Sequence, residues 1–358
     1  MKKKFLGVVL SVAMVASLLA GCGSKDDDSN QPADDNQATE APAADDNQTD
    51  EANTDDDASK GSDELIYVGV INNNPTESGY RTANDADLKE KFCEANGYKA
   101  EFVYGDKNEE QLERAQKLIQ NGIDYLLLSA AGTAGWETVL QDAKAAGIKV
   151  ILFDRTIDAP EDLYEASIVS DMDKEGETAV NWLADQGLDS YKIIHIQGQM
   201  GSAAQKGRSK ALEAKVEAED NWEIVTQQTG NWEAADAQEI VQSVIDSKQE
   251  FNVIYAENDN MADGAVQALD KAGITHGVDG DVIIMGFDCN KFALKALKEG
   301  SWNYDGQCNP FQAQYIEDVI NKLEKGEELD EKVIILNEQG FDAKTITDAD
   351  IETYGIGD

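Results

Sequence analysis

Histidine is close to absent from this 358-residue chain, with only His195 and His276, and cysteine occurs four times, at positions 22, 93, 289 and 308. Acid–base chemistry built on imidazole, and zinc sites built on His and Cys, have almost nothing to draw on, so we expect no metal centre. Positive charge is equally short: 30 Lys plus Arg face 71 Asp plus Glu, a net charge of −41. Phosphate contacts need clustered basic side chains, which excludes nucleic acid as a partner and disfavours docking on anionic lipid through a basic surface. Catalytic and cofactor motifs are missing too. There is no Gly-x-Gly-x-x-Gly after a strand, no Walker loop, no His-Glu-x-x-His and no Gly-x-Ser-x-Gly. The nearest thing to a calcium loop, starting at Asp171, has Trp182 where a bidentate Glu belongs. The expectation is a binding protein, not an enzyme, with no cofactor.

What is present begins with an address. Lys2, Lys3 and Lys4 precede an apolar run over residues 5–20, which is short for a membrane span and flanked like an export signal. Leu19-Ala20-Gly21-Cys22 resembles the lipobox of bacterial lipoproteins, so residues 1–22 read as a lipoprotein signal peptide with Cys22 as the lipidated residue. An ordinary secretory signal and a short uncleaved anchor are the alternatives. Residues 25–64 hold 15 acidic residues, two lysines and no aromatic or large aliphatic side chain. Such a segment buries too little apolar surface to order its backbone, so residues 23–64 are expected to be a disordered acidic tether. Residues 65–358 carry 25 Lys plus Arg against 56 Asp plus Glu and are acidic in their own right. With Cys22 set aside, three cysteines remain, an odd number that leaves at least one free thiol or an intermolecular bridge. Cys93 falls in a helical pattern. Cys289 and Cys308 end two strand-like segments, and whether they pair is open.

Beyond the tether, short apolar runs alternate with helical patterns. Residues 66–70, 99–104, 125–128 and 150–153 read as strands of a parallel sheet buried on both faces, being continuous and not alternating. Leu112, Ala115, Leu118 and Ile119, then Val139, Ala143 and Ala146, recur at helical spacing between them. The pattern restarts after residue 170, with strands at 192–196, 223–226, 252–255 and 282–285. Gly105-Asp106 and Gly230-Asn231 each follow a second strand, and Phe153-Asp154 and Phe287-Asp288 each close a fourth. The fold class is therefore α/β, as two similar doubly wound parallel-sheet lobes, with ligand-facing groups at the carboxyl ends of the strands.

The side chains at those ends suit a polyhydroxylated neutral ligand, because carboxylates and amides bridge hydroxyls, guanidinium forks donate in pairs, and rings cover C–H faces. The loop after the first strand offers Glu77, Ser78, Tyr80 and Arg81, and the fourth strand ends in Asp154-Arg155. The second half offers Arg208, Trp232, Asn258-Asp259 and Asp288. Each has a plainer alternative: a local ion pair for Asp154-Arg155, a core position for Trp232, a helix N-cap for Asn258 and a turn for Asp288. Trp136, Trp182, Trp222 and Trp302 read as packing residues.

Residues 65–358 resemble the type I periplasmic sugar-binding proteins, the substrate-binding subunits of ABC importers, in the ribose- and galactose-binding group. The strings Glu77-Ser78-Gly79-Tyr80-Arg81, Asp154-Arg155-Thr156-Ile157-Asp158, Thr229-Gly230-Asn231-Trp232 and Tyr255-Ala256-Glu257-Asn258-Asp259-Asn260-Met261 carry the resemblance. It is nearest the galactofuranose-binding branch, whose first-strand loop also reads Glu-Ser-Gly-aromatic-Arg. The resemblance implies that Tyr80 and Trp232 flank a sugar ring from the two lobes. It implies that Asp154, Arg155, Arg208, Asn258, Asp288 and Gln307 hydrogen-bond the hydroxyls, with Arg81 a further candidate. It also implies a three-strand hinge with crossovers near Ser170-Asp171, near Gln307-Cys308 and between about residues 325 and 335. One lobe would then be 65–170 plus about 308–328, and the other 171–307 plus about 329–358. Glu257 beside Asn258 and the polar Asn72-Asn73-Asn74-Pro75 run depart from the galactofuranose-binding pattern.

The expected activity is capture, by hinge closure, of a neutral monosaccharide, a hexose or pentose in pyranose or furanose form. The expected partner is an ABC permease. The protein would be a monomer held by Cys22 at the outer face of the bacterial cytoplasmic membrane. Two rivals share these residues: a sensor presenting its closed form to a receptor kinase or chemoreceptor, and an enzyme using Asp154 and Asp288 as a carboxylate pair. The export signal, the tether and the absence of a helix-turn-helix exclude a sugar-responsive repressor.

Overall fold

The structure, a computed structural model, describes residues 65–357. The expected signal peptide, the Cys22 lipidation site and the acidic tether lie outside these residues. The first sheet holds β1 (Ile66–Asn72), β2 (Tyr98–Tyr104), β3 (Tyr125–Leu128), β4 (Lys149–Asp154), β5 (Ala166–Val169) and β11 (Val333–Ile335). All pairs are parallel, in the order β11-β5-β4-β3-β1-β2. Tyr125 and Leu127 of β3 pack with Leu88 of α1 (Gly79–Lys91) and Ile316 of α9 (Ala313–Glu324). Leu126 and Leu128 face the other way, onto Leu118 of α2 (Asn108–Gln120) and Leu140 of α3 (Glu137–Ala145). A strand covered on both sides has no solvent face, which is why its sequence is a continuous apolar run. Full burial of one such leucine stabilises by about 1.5–3 kcal/mol.

The second sheet repeats the plan with β6 (Tyr191–Gln197), β7 (Trp222–Thr229), β8 (Val253–Ala256), β9 (Ile283–Asp288), β10 (Tyr304–Gln307) and β12 (Gly340–Asp342). Its order is β12-β10-β9-β8-β6-β7, with only β12 antiparallel. Val253 and Tyr255 share one apolar cluster with α4 (Met172–Ala184) and α5 (Ala203–Ala218). Ile254 and Ala256 share another with α6 (Ala234–Asp246), α7 (Asp259–Ala272) and α8 (Lys291–Glu299). In both sheets the first strand sits inside and the second at the edge. Strand order therefore reverses beside β1 and beside β6, which opens a crevice at their carboxyl ends.

The chain passes between the sheets three times, at Ser170, over residues 308–312, and over residues 336–339. The passages are bonded to one another: Leu336 N–H donates to Val169 O at 3.0 Å, and Gln307 N–H to Gln339 O at 2.8 Å. The third passage corrects the expected lobe boundary. Residues 329–335 were assigned to the second lobe, but Val333, Ile334 and Ile335 pair with Ser167, Ile168 and Val169 of the first sheet. A three-residue edge strand is too short to show a period, so nothing in the sequence separated it from the β12 segment that follows. Cys93, Cys289 and Cys308 are all free thiols, which answers the open pairing.

Candidate ligand-binding site

The two crevices face each other and close on a cavity lined by Glu77, Ser78, Tyr80, Arg81, Asp154 and Arg155 from the first lobe. The other wall is Met172, Ala204, Arg208, Trp232, Asn258, Asp288 and Cys308. Its interior is about 20 Å³, room for one water, inside a surrounding empty space of about 290 Å³.

On the first-lobe side, Asp154 is the centre. Its Oδ2 accepts from Arg81 Nη2 at 2.7 Å and from Ser129 Oγ at 2.7 Å, and its Oδ1 accepts from the Tyr80 hydroxyl at 3.0 Å. Arg155 Nε lies 3.5 Å from Asp154 Oδ2, and Arg155 Nη2 lies 3.7 Å from Glu77 Oε1. Burial alone would raise the Asp154 pKa. The charges of Arg81 and Arg155 outweigh it and hold the carboxyl below its ordinary value.

On the second-lobe side one guanidinium serves several acceptors. Arg208 Nε binds Glu175 Oε2 at 2.7 Å, its Nη1 donates to the Glu257 carbonyl, and its Nη2 lies 3.4 Å from Asp288 Oδ1. Burial pushes the Asp288 pKa well above its ordinary value, with Asp259 and Glu175 adding to the rise, and Arg208 does not offset them. The carboxyl on the second-lobe wall is therefore the more easily protonated of the two, and the one on the first-lobe wall the more acidic.

The backbone is bent to present these groups. Asp154 (φ 64°), Asn231 (51°), Trp232 (71°), Asp288 (114°) and Cys289 (64°) all occupy positive φ. For residues with a Cβ this costs about 1–3 kcal/mol each, a cost that clusters where a site dictates geometry. Two glycines make close approaches. A Cβ on Gly198 would lie 1.8 Å from the Trp232 ring, and one on Gly79 would lie 1.8 Å from Asn290 Oδ1 across the cleft. Further contacts seal the rim: Thr133 N–H donates to Gly201 O at 3.2 Å, and Asn73 Nδ2 to Gln199 Oε1 at 3.4 Å. Trp232 Nε1 and Arg155 Nε are buried donors with no hydrogen-bond partner among the described residues. Such groups are expensive to leave unmet, and both border the cavity.

Eight of the nine candidates, Tyr80, Arg81, Asp154, Arg155, Arg208, Trp232, Asn258 and Asp288, line this one cavity. Gln307 does not. It lines a separate cavity behind the hinge, and its neighbour Cys308 takes the cleft-facing position. Successive residues of an extended chain face opposite ways, so a one-residue error in position inverts the assignment. Asn258 combines both of its readings, capping α7 by accepting from Met261 N at 2.9 Å while lining the cavity. Glu257 is buried beneath the site, where its carboxylate accepts from Gly198 N at 2.7 Å and from Ser209 Oγ at 2.6 Å. Trp136, Trp222 and Trp302 are core residues, and Trp182 donates to Asp342. Met172, Ala204 and Cys308 carry no sequence cue, whereas Glu77 and Ser78 sit in the loop string already singled out.

Comparison with known proteins places this arrangement. A family model described as a periplasmic binding protein domain matches residues 68–328. The chain belongs to that family. It is 27% identical over 266 residues to the galactofuranose-binding protein YtfQ of Escherichia coli K12, covering 73% of this chain and 83% of that protein. It is 28% identical over 290 residues to the fructose import binding protein FruE of Bifidobacterium longum, covering 79% and 86%. Among solved structures it resembles the binding component of the arabinose ABC transporter of Shewanella sp. ANA-3, bound to α- and β-L-arabinofuranose. That match has a TM-score of 0.74 at 28% identity, covering 80% of this chain and 95% of the other. The two doubly wound parallel-sheet lobes are the type I periplasmic-binding-protein architecture.

Proposed function

We propose that the protein captures a neutral monosaccharide outside the cytoplasm by closing its two lobes, and hands it to an ABC-type importer. One observation carries the reading. A single cavity is walled by an aromatic from each lobe, Tyr80 and Trp232, and by carboxyl and guanidinium groups whose charges are already matched within the protein. Asp154 and Glu77 together match Arg81 and Arg155, and Glu175 matches Arg208, so neither wall presents a surplus of positive charge to an ionic ligand. Hydroxyls, which both donate and accept, suit the Asp154 and Asp288 carboxyl oxygens as acceptors and the Arg155 and Trp232 N–H groups as donors. The binding activities of the relatives, directed at galactofuranose, fructose and arabinofuranose by their names, support a sugar and include furanose forms.

Room for one water does not admit a sugar ring, so entry requires the lobes to part. The sugar then draws the equilibrium toward a closed form with contacts on both sides. The same reading makes the chain a non-enzymatic monomer, exported and anchored through a lipid on Cys22. A thermal-shift screen across pentoses and hexoses, in pyranose- and furanose-forming series, tests the central claim. At 100 times its dissociation constant a true ligand stabilises by about 2.7 kcal/mol. A screen in which no saccharide raises the melting temperature, or in which Trp232→Ala responds like wild type, overturns it.

A further inference from the structure

Between the cavity behind the hinge, which Glu175 and Glu338 line, and the cleft, which Cys308 lines, sits a cluster of groups whose side chains sugar capture does not use. Glu175 in the first turn of α4, Cys308 in the second passage between lobes and Glu338 in the third bring one ligand atom each to within 4.8 Å of one another. They lie far apart in sequence, which is why the scarcity of His and Cys pointed away from any metal. Each side chain has capacity left over. Glu175 uses Oε2 on Arg208 and meets the Cys308 thiol, and its buried Oε1 makes no conventional N–H or O–H hydrogen bond among the described residues. Glu338 spends Oε1 on Ser170 Oγ at 2.7 Å and on Asn309 N at 2.6 Å, leaving its other oxygen. Cys308 is a free thiol whose Sγ lies 3.5 Å from Ser170 Oγ.

A second observation points the same way. The Tyr304 hydroxyl is buried without a partner, and Tyr304 lines the same cavity as Glu175 and Glu338, with room there of about 40 Å³. Exposed Asp171 and Lys174 mark an approach from solvent. Positive charge is scarce inside. Burial and then Glu175 push Glu338 up to about 8, and burial followed by Glu175 and Glu338 pushes the Cys308 thiol up. Among the described residues Arg208 is the guanidinium that acts on the cluster, and it is shared with Asp288 and the Glu257 carbonyl.

We propose that Glu175, Cys308 and Glu338 form a hinge site for a borderline-soft divalent cation of the zinc class, with the Tyr304 hydroxyl beside it. Two carboxylates and a thiolate beside one guanidinium carry two net negative charges, which one divalent ion neutralises. The sulfur selects zinc-like ions over calcium and magnesium. A tetrahedral zinc sets its donors about 3.3–3.8 Å apart, so side-chain shifts of about 1 Å complete the site from the present spacing. Because two ligands ride on passages between the lobes, an occupied site ties the hinge at the spacing of the closed form.

Cobalt(II) titration of the full chain without sugar tests this, since a bound thiolate gives a charge-transfer band that carboxylates alone do not. One equivalent of Co²⁺ is expected to develop the band, and one equivalent of Zn²⁺ to remove it. Cys308→Ser, close to isosteric, abolishes the band. Glu338→Gln weakens Co²⁺ binding by at least about tenfold, and Cys93→Ser leaves it unchanged. No saturable binding at one equivalent, a band that survives Cys308→Ser, or unchanged affinity in Glu338→Gln each overturns the proposal. Because no sugar is present, failure here leaves the sugar-capture reading untouched, and failure of the sugar screen leaves this one standing.

Discussion

The two lobes repeat one winding plan and end their fourth strands in the same residue, yet they use it in opposite ways. Asp154 and Asp288 both close a Phe-Asp strand end at positive φ and both face the cleft. Asp154 has two guanidinium groups near it, with Arg81 at 2.7 Å, and stays ionised. Asp288 shares one guanidinium at 3.4 Å with Glu175, stands near buried Asp259, and has its pKa raised by burial and those neighbours. The difference is one of charge stoichiometry more than of position. A repeated scaffold thus presents carboxyls of unequal acidity from its two sides, so the two walls of the cleft are not equivalent.

The largest expected effect concerns the lone guanidinium. Arg208→Leu leaves Glu175 buried and unpaired and should destabilise by about 3–5 kcal/mol in urea unfolding. Arg81→Leu should cost less, because Arg155 remains beside Asp154. Equal losses would mean the lobes are not asymmetric in this way. Next comes the carboxyl swap. Asp154→Asn should lower sugar affinity by roughly 10–150-fold, the worth of a hydrogen bond to a charged group. Asp288→Asn, which keeps a neutral donor and acceptor, should stay within about threefold by calorimetry. A reversal of that order would refute the assigned order of acidity.

Gly79→Ala adds a methyl that meets Asn290 only when the lobes are shut. It should cut sugar affinity by roughly 10–100-fold while the melting temperature without sugar holds steady.

The pH dependence is smaller and has opposite signs on the two walls. Asp154, with its lowered pKa, adds stability above its unfolded value, and that stability is lost as pH falls through the folded value. Asp288, with its raised pKa, binds its proton more tightly when folded, so its contribution is complete below the unfolded value and declines as pH rises toward the folded one. Asp288→Asn should therefore flatten the fall in unfolding free energy as pH rises above the ordinary carboxylate range, by up to about 1.4 kcal/mol per pH unit. An unchanged slope would place Asp288 among ordinary carboxylates. Least of all, Gln307→Ala should move sugar affinity by no more than about twofold.

Eight strands were legible because continuous apolar runs and helical spacing are local signals. Most of the cleft was legible too, since strand ends in this architecture face one crevice. Length alone did not decide which strands were legible: β5 has four residues, as β3 and β8 do, but Ser167 interrupts its apolar run, and β11 has only three residues. The error at Gln307 came from alternation, where one position decides which way a side chain points. The partnership of Arg81 with Asp154 joins residues 73 apart in the chain and depends on how β1 and β4 come to lie in one sheet. The hinge cluster joins three remote segments and left no trace in any window.

The thrice-crossing path also governs how the molecule comes to exist. The first sheet receives its last strand only at Val333–Ile335, and the second lobe its last helix only at Asp348–Tyr354. Neither half is a contiguous stretch, so a ribosome emitting the first 170 residues has not made a finished domain. With many pairings between distant segments, assembly is slow and waits on the tail of the chain. Each half is thus completed only by segments close to the end of the chain, and neither can be released as a finished unit before them.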